Sequence, residues 1–276
     1  MSAVFQSAPA TRWRPPPFVA ASIAVHIGAL AAVFLAPDHW TWWALGAIGV
    51  NQLAITAVGL WPRSTWLGPN FTRLPAAAAA RGEIALTVDD GPDPEVTPKV
   101  LDLLDAHGAR ATFFCIAQLA RRHPELVHAI VRRGHAVENH SNGHPVTFSM
   151  MGMGGIRKEI VNAQGTLSEL AGRAPRFFRP PAGLRNPLLD PVLHEQGLKL
   201  VTWTRRGFDT RRSDPDRVAA SLLEGLAAGD ILLLHDGHSA RGSNGTPVVL
   251  DVLPRLLDAA RRQGLRFVTL DQAIDP

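Results

Sequence analysis

A chain of 276 residues makes one ordinary domain with something added, and its 46% apolar and 19% charged residues lean away from the roughly 25% charge of a soluble domain. The formal charge of +4 and a sequence pI of about 10.1 come from scattered arginines, with lysine only at Lys99, Lys158 and Lys199, so attraction to an anionic membrane surface is favoured over a nucleic-acid stripe. The single Cys115 excludes an internal disulfide and a multi-cysteine zinc site.

Residues 1–17 read as a polar, proline-rich tail with Arg12 and Arg14 near its end. Residues 18–36 are apolar except for Ser22 and His26, and residues 40–60 form a second apolar run. At about 1.5 Å rise per residue, each run can cross a hydrocarbon core of ~30 Å. Trp40, Trp42 and Trp43 at one end of the second run and Trp61 at the other match the interfacial placement of aromatics. The short connection at 37–39 predicts a hairpin of two transmembrane helices over 18–61. The plainer alternative is a signal peptide followed by an anchor, for which the first run lies late. Asn51 and Gln52 are costly in lipid and are expected to face the first helix or a partner. Arg12, Arg14, Arg63, Arg73 and Arg81 flank the pair, whereas the connection has no Lys or Arg. The positive-inside tendency then puts both termini and the rest of the chain on the cytoplasmic side of a cell inner membrane.

Residues 62–82 read as a linker, with prolines, glycines and an alanine run. From 83 to 276 strands alternate with helices. Strands are expected at 84–88, 111–116, 135–138, 177–178, 198–203, 231–234 and 266–269. Helices are expected at 98–107, 118–133, 156–171, 188–196, 215–227 and 248–263. This alternation predicts an α/β domain with a parallel sheet, and about seven such units suggest a small or distorted barrel.

In such folds the working residues gather at the carboxyl ends of the strands. Here one strand ends in Asp89-Asp90-Gly91, another in Glu138-Asn139-His140 with His144 four residues on. Phe178 leads into Arg179, Trp203 leads toward Asp209, and Leu234 leads into His235-Asp236. Two imidazoles four apart with a carboxylate from Asp89 or Asp90 make a minimal divalent-metal set with room for water. Adjacent aspartates can divide the labour, one binding a cation while the other takes a proton from its water. The plainer reading is an Asp-Asp-Gly turn that caps a helix. An arginine such as Arg179 can grip a carboxylate with two parallel hydrogen bonds and favour its charged form; a surface arginine is the alternative. A carboxylate such as Asp209 beside His235 would favour the imidazolium and suit it to general acid work, against a turn or core histidine.

Together these residues resemble the polysaccharide deacetylase family (the NodB homology domain, carbohydrate esterase family 4) over residues 83–275. Five motifs carry the resemblance in order: Thr87-Val88-Asp89-Asp90-Gly91, His140-Ser141-Asn142-Gly143-His144, Arg179-Pro180-Pro181-Ala182-Gly183, Trp203 through Asp209, and Leu233-Leu234-His235. The resemblance implies a distorted (β/α)7-type barrel that hydrolyses acetyl groups on sugars. It implies Asp90, His140 and His144 as ligands of a divalent metal, most often zinc, with Asp89 as base and Arg179 tuning it. It implies His235 as acid paired with Asp209, Leu233 lining the acetyl pocket, and the Ala182 N–H steadying the oxyanion. The sequence departs from the family at Ala182, where an aromatic is frequent, and at Thr210, where Trp is usual. It also lacks tyrosine entirely. Phe148, Trp203 and Phe208 are candidate substrate contacts or core residues, and 150–155 reads as a mobile rim loop. These departures suggest a bulkier or lipid-attached substrate.

The expected function is removal of an N-acetyl group from an amino sugar, on a lipid-linked sugar or glycolipid at a membrane, with no nucleic-acid partner. Alternatives are a deformylase of a lipid-linked formamido sugar, a periplasm-facing polysaccharide or peptidoglycan deacetylase, and an inert membrane scaffold. A non-haem iron oxygenase could also use two histidines and a carboxylate, but the sequence shows no sign of a redox cosubstrate site.

Overall fold

The computed structural model describes residues 12–274. Most of the expected tail, residues 1–11, lies outside the described residues. The chain opens with two helices, α1 (Pro17–Leu35) and α2 (Pro37–Gly59), which pack on each other as a hairpin. Each carries proline at its start, where a missing N–H is harmless. The polar interruptions of both runs meet inside the hairpin. Asn51 Nδ2 donates to Ser22 Oγ at 2.8 Å, and Gln52 Nε2 lies 3.2 Å from His26 Nε2. Asn51 and Gln52 therefore face the first helix. Among the described residues only α1 is, by length and composition, long and apolar enough to cross a membrane; α2, which also holds Asp38 and His39, is not, so the expectation of two spans is not met on that measure.

The segment expected to be a linker is instead packed onto the domain. It contains α3 (Ala76–Ala80), buries Leu67, Leu74 and Ala78, and bridges Phe71 to Val201 and Arg73 to Asp230. The alanine run thus covers the sheet's lower end rather than spacing two parts.

The remaining elements, in chain order, are β1 (Glu83–Asp89), α4 (Thr97–Ala106), β2 (Ala111–Cys115), α5 (Ala117–Arg122), α6 (Pro124–Arg132), β3 (Ala136–Asn139), α7 (Met153–Ala171), β4 (Phe177–Phe178), α8 (Leu189–Gln196), β5 (Lys199–Leu200), β6 (Arg205–Arg206), α9 (Pro215–Leu223), β7 (Ile231–His235), α10 (Val248–Arg262), β8 (Arg266–Val268) and α11 (Leu270–Ile274). Three differ from the sequence reading. The helix expected over 118–133 is broken at His123, because Pro124 disfavours helical backbone in the residue before it. The strand expected over 198–203 shrinks to β5, and β6 follows it. Met153–Gly155, expected in a mobile rim loop, are the first turn of α7, with Met151 lying against Gly155.

All strand pairs are parallel, in the order β5-β4-β3-β2-β1-β7-β6, with β8 added beside β1. The two edge strands, β5 and β6, are consecutive in the chain and only residues 201–204 separate them. At roughly 3.5 Å per extended residue that connection is short, so the sheet must curl until its edges approach. The result is a curled parallel sheet, a half-barrel in keeping with the distorted barrel that was expected.

The period-two alternation of strands sorts the core. Ile84, Leu86 and Val88 of β1 pack outward against α4 and α10, with Leu232 and Leu234 of β7. Ala85, Phe114, Phe177, Val201 and Ile231 fill the barrel interior. The inner face of β1 continues through Thr87 to Asp89, and that of β7 through Leu233 to His235. The polar end of each strand thus rides on the same alternation that builds the core. Cys115 is buried in the outer layer and has no part in the chemistry below.

Candidate active site

β1 and β7 are in register with Asp89 opposite His235, so an acid and an imidazole come from adjacent strand ends. Asp89 is held by the fully buried Arg179, whose Nη1 donates to Asp89 Oδ1 at 2.7 Å and to Thr87 Oγ1 at 2.8 Å. The expected two-bond grip on one carboxylate is not what forms. The other edges of the guanidinium donate to the carbonyls of Val201 (3.1 Å) and Thr202 (2.7 Å), and its plane lies 4.2 Å from the Phe114 ring centroid. One arginine therefore ties β1 to the chain leaving β5.

Asp90 follows with φ of 72°, a left-handed turn out of the strand. Its Oδ1 lies 3.1 Å from both His140 Nε2 and His144 Nε2. The ligand atoms of these three residues all lie within 4.8 Å of one another. His140 Nδ1 faces the Arg179 carbonyl at 2.7 Å, which places its proton there and leaves the Nε2 lone pair for a cation. The His140–His144 loop is a tight turn, not a helix. Ser141 Oγ accepts from the His144 N–H at 3.0 Å, and Glu159 of α7 accepts from the N–H groups of Asn142 and Gly143. The donor set and its spacing fit a divalent cation. Burial would raise the Asp90 pKa, but hydrogen bonds from His140, His144 and His238 outweigh it and hold the carboxyl far below its usual range.

His235 is paired as expected. Asp209, fully buried, accepts from the His235 backbone N–H at 2.7 Å and meets its Nδ1 at 2.8 Å. Burial would lower the imidazole's pKa, yet the charge of Asp209 and the hydrogen bond to it raise it above the ordinary value. Its neighbour Asp236 does different work. Burial pushes its pKa up to about 7, and it is spent on Thr97 Oγ1 (2.5 Å) and the Gly237 N–H (3.0 Å). Glu138, at the end of β3, is also drawn away. It accepts from Arg173 and from the N–H groups of Arg176 and Phe177.

Asp89, Asp90, His140, His144 and His235 open onto one cleft of about 300 Å³, together with Ala182, Trp203 and Leu233. All the expected site residues except the deeply placed Arg179 and Asp209 line it. Phe148 does not: it is buried against Phe178 and belongs to the core. Phe208 lines a neighbouring depression. The sequence reading missed His238, Arg206 and Arg211, which also line the cleft. His238 lies 3.4 Å from Asp90 Oδ2, and its place three residues after His235 was the one available signal. Nothing in the spacing marked the arginines.

The sequence profile of the polysaccharide deacetylase family matches residues 77–201. A peptidoglycan-N-acetylglucosamine deacetylase of Bacillus cereus is 33% identical over 216 residues, covering 77% of this chain and 75% of its own length. The chain belongs to the polysaccharide deacetylase family. A chitooligosaccharide deacetylase of Bradyrhizobium is 33% identical over 68% of this chain and 89% of its own. A crystal structure of a peptidoglycan N-acetylglucosamine deacetylase in complex with a benzamide compound superposes with a TM-score of 0.67 at 31% identity, over 74% of this chain and 92% of that one. Within this polysaccharide deacetylase domain, Ala182 and Thr210, the two departures, line the same cleft.

Two expectations follow. His238→Ala removes a hydrogen bond to the far oxygen of Asp90 and is expected to weaken divalent-metal affinity about tenfold, read by metal competition with a chromophoric chelator. Asp209→Asn removes the charge that favours the His235 imidazolium, so the alkaline limb of the pH–rate profile should move to lower pH. An unmoved limb would show that His235 does not set it.

Proposed function

We propose that the chain is a divalent-metal hydrolase that removes the N-acetyl group of an amino sugar at a membrane surface. The observation that carries this reading is the convergence on one cleft of a two-histidine, one-carboxylate set with two further groups of opposite kind, the arginine-held Asp89 and the aspartate-held His235. The named activities of the relatives support the same chemistry.

Asp90, His140 and His144 would hold the ion, and zinc suits two imidazoles and one carboxylate. A bound ion of this kind polarises a carbonyl and lowers the pKa of a water molecule to about 7. Asp89, fixed by Arg179, accepts the proton of the attacking water. The carbonyl carbon becomes tetrahedral, and the Ala182 N–H steadies the oxyanion. His235, held by Asp209, gives its proton to the amine nitrogen as the C–N bond breaks. Acetate and the free amine leave. Leu233 and Trp203 wall the acetyl group.

The membrane reading draws on the hairpin surface. Leu30, Phe34, Leu35, Trp42, Trp43 and Leu53 are each more than 70% exposed, a larger apolar surface than water tolerates. The less apolar α2 would enter lipid with α1 as a pair, its Asn51 and Gln52 satisfied by Ser22 and His26. The end of the hairpin abuts the cleft. The Arg185 N–H donates to the Gly59 carbonyl at 3.2 Å, a Cβ on Gly59 would overlap the Arg185 carbonyl, and a Cβ on Gly183 would meet Trp203 at 2.5 Å and Pro62 at 2.9 Å. A sugar linked to lipid is the substrate such a mounting favours, and the flanking arginines favour a cytoplasmic domain.

The full-length chain in detergent is expected to carry one divalent ion, lost in Asp90→Ala and His140→Ala. It should release acetate from N-acetylated glucosamine oligomers, and Asp89→Asn and His235→Ala should slow that release by about 10²–10⁴-fold. A metal-free native protein that releases no acetate sinks the reading. A reporter joined after Pro276 should be active only in the cytoplasm; periplasmic activity removes the lipid-linked preference.

A further inference from the structure

Arg206 is the charged group for which the chemistry above has no use. It ends β6 in register with Leu233, at the rim of the barrel. Its guanidinium carbon lies 5.1 Å from the Trp203 ring centroid and 5.0 Å from that of Phe208. Its Nε is buried and has no hydrogen-bond partner among the described residues. Nor does any carboxylate form an ion pair with it there, whereas the adjacent Arg205 is consumed by Asp230 at 2.6 Å and by the carbonyls of Glu224 and Gly225. The nearest candidates for neutralising Arg206 are already engaged: Asp89 by Arg179 and Asp209 by His235. Burial lowers its pKa from the ordinary arginine value, against the pull of those two acids. A half-buried guanidinium with unmet donors is costly unless a ligand completes it.

The surroundings say which ligand. Arg206 and Trp203 form a shared wall between the metal-cluster cleft and a second depression of about 420 Å³. That depression is bounded on its far side by Trp61, Pro62 and Arg63 at the end of the hairpin, and among the described residues no carboxylate lines it. Arg63 makes one long bond, 3.3 Å, to the Thr204 carbonyl. On the near side Arg211 lines the cleft, exposed and without a side-chain partner among the described residues. Three guanidinium groups with spare donors thus flank the route from the acetyl site to the membrane end of the molecule.

We propose that Arg206, assisted by Arg63 and Arg211, binds a phosphate group carried by the N-acylated sugar, making the second depression a phosphate subsite. A phosphate presents several oxygens to separate arginines at once and matches the planar guanidinium edge. The proposal rests on the deacetylase reading for its substrate but not for its anion. The phosphate could belong to a membrane lipid carrier or to a soluble sugar phosphate.

The test uses the full-length, metal-loaded chain in detergent. Its probes are a neutral chitooligosaccharide, N-acetylglucosamine 1-phosphate, and polyprenyl-phosphate-linked N-acetylglucosamine in mixed micelles. Arg206→Gln is expected to lower the ratio of kcat/KM for the phosphorylated sugars over that for the neutral one by tenfold or more, chiefly through KM. Arg206→Lys should recover part of the loss, and the exposed Arg63→Gln should lower the ratio in the same direction. Faster turnover of the polyprenyl form assigns the phosphate to a lipid, and equal turnover assigns it to a soluble sugar; either supports the subsite. Equal loss on neutral and phosphorylated sugars in Arg206→Gln would make Arg206 a strut for Trp203 and overturn the proposal. Equilibrium dialysis of N-acetylglucosamine 1-phosphate separates the two readings. If wild type hydrolyses nothing yet binds this probe at least tenfold more tightly than Arg206→Gln, the subsite stands and the deacetylase reading falls.

Discussion

The site depends on one buried charge. Arg179 has no exposed surface, and it is held by Asp89, Thr87 and two carbonyls of the chain leaving β5 while lying over Phe114. A pair of buried ions is weak evidence for stability, since desolvation offsets most of the attraction. Its value is geometric. Every donor of the guanidinium that reaches across the barrel fixes the distance between β1 and the far edge of the sheet. The Arg179 carbonyl also orients His140, so the same residue sets both the position of Asp89 and the tautomer of that imidazole. Removing one member would leave the other buried and unpaired, at about 3–5 kcal/mol.

Around that anchor the backbone is held in conformations that side chains seldom adopt. Among the described residues the non-glycine positions with positive φ are Asp90, Ser141, His144, Ala182, Phe208 and His238. All lie at the cleft or on its border. Strain of this kind persists only where the surroundings over-determine it. Here the surroundings are the Glu159 and Ser141 hydrogen bonds beneath the histidine loop, the Asp209 contacts behind His235, and the packing of Gly183 on Trp203. The core supplies the rigidity and the loops present the chemistry.

The helical hairpin is not an appendage joined by a free tether. The segment between it and the barrel is buried at Leu67, Leu74 and Ala78, and Trp13 donates to Asp190 at 2.7 Å from the other side. Its end therefore has a fixed relation to the Ala182 loop and to the arginines beside it. Ala182 and Thr210 both line the cleft. The cleft thus lies beside the apolar hairpin, with arginines along its border.

Much of this was legible in the sequence. Asp89, Asp90, His140, His144, Arg179, Asp209 and His235 each stand at or just after a strand's carboxyl end, and in a parallel sheet strand ends share a rim. The apolar runs announced two helices, and their polar residues announced that the helices would face each other. Other features depended on distances between parts remote in the chain. The partners of Arg179, the burial of the supposed linker and the place of His238 beside Asp90 are of this kind. So is Arg206, one of many arginines in sequence, which became singular only when folding gave its neighbours to other partners. Local pattern determined which residues could do chemistry, because strand alternation and motif order are properties of neighbours. Tertiary structure decided which charges are satisfied and which remain free, because pairing depends on what the curled sheet brings within three ångströms or so.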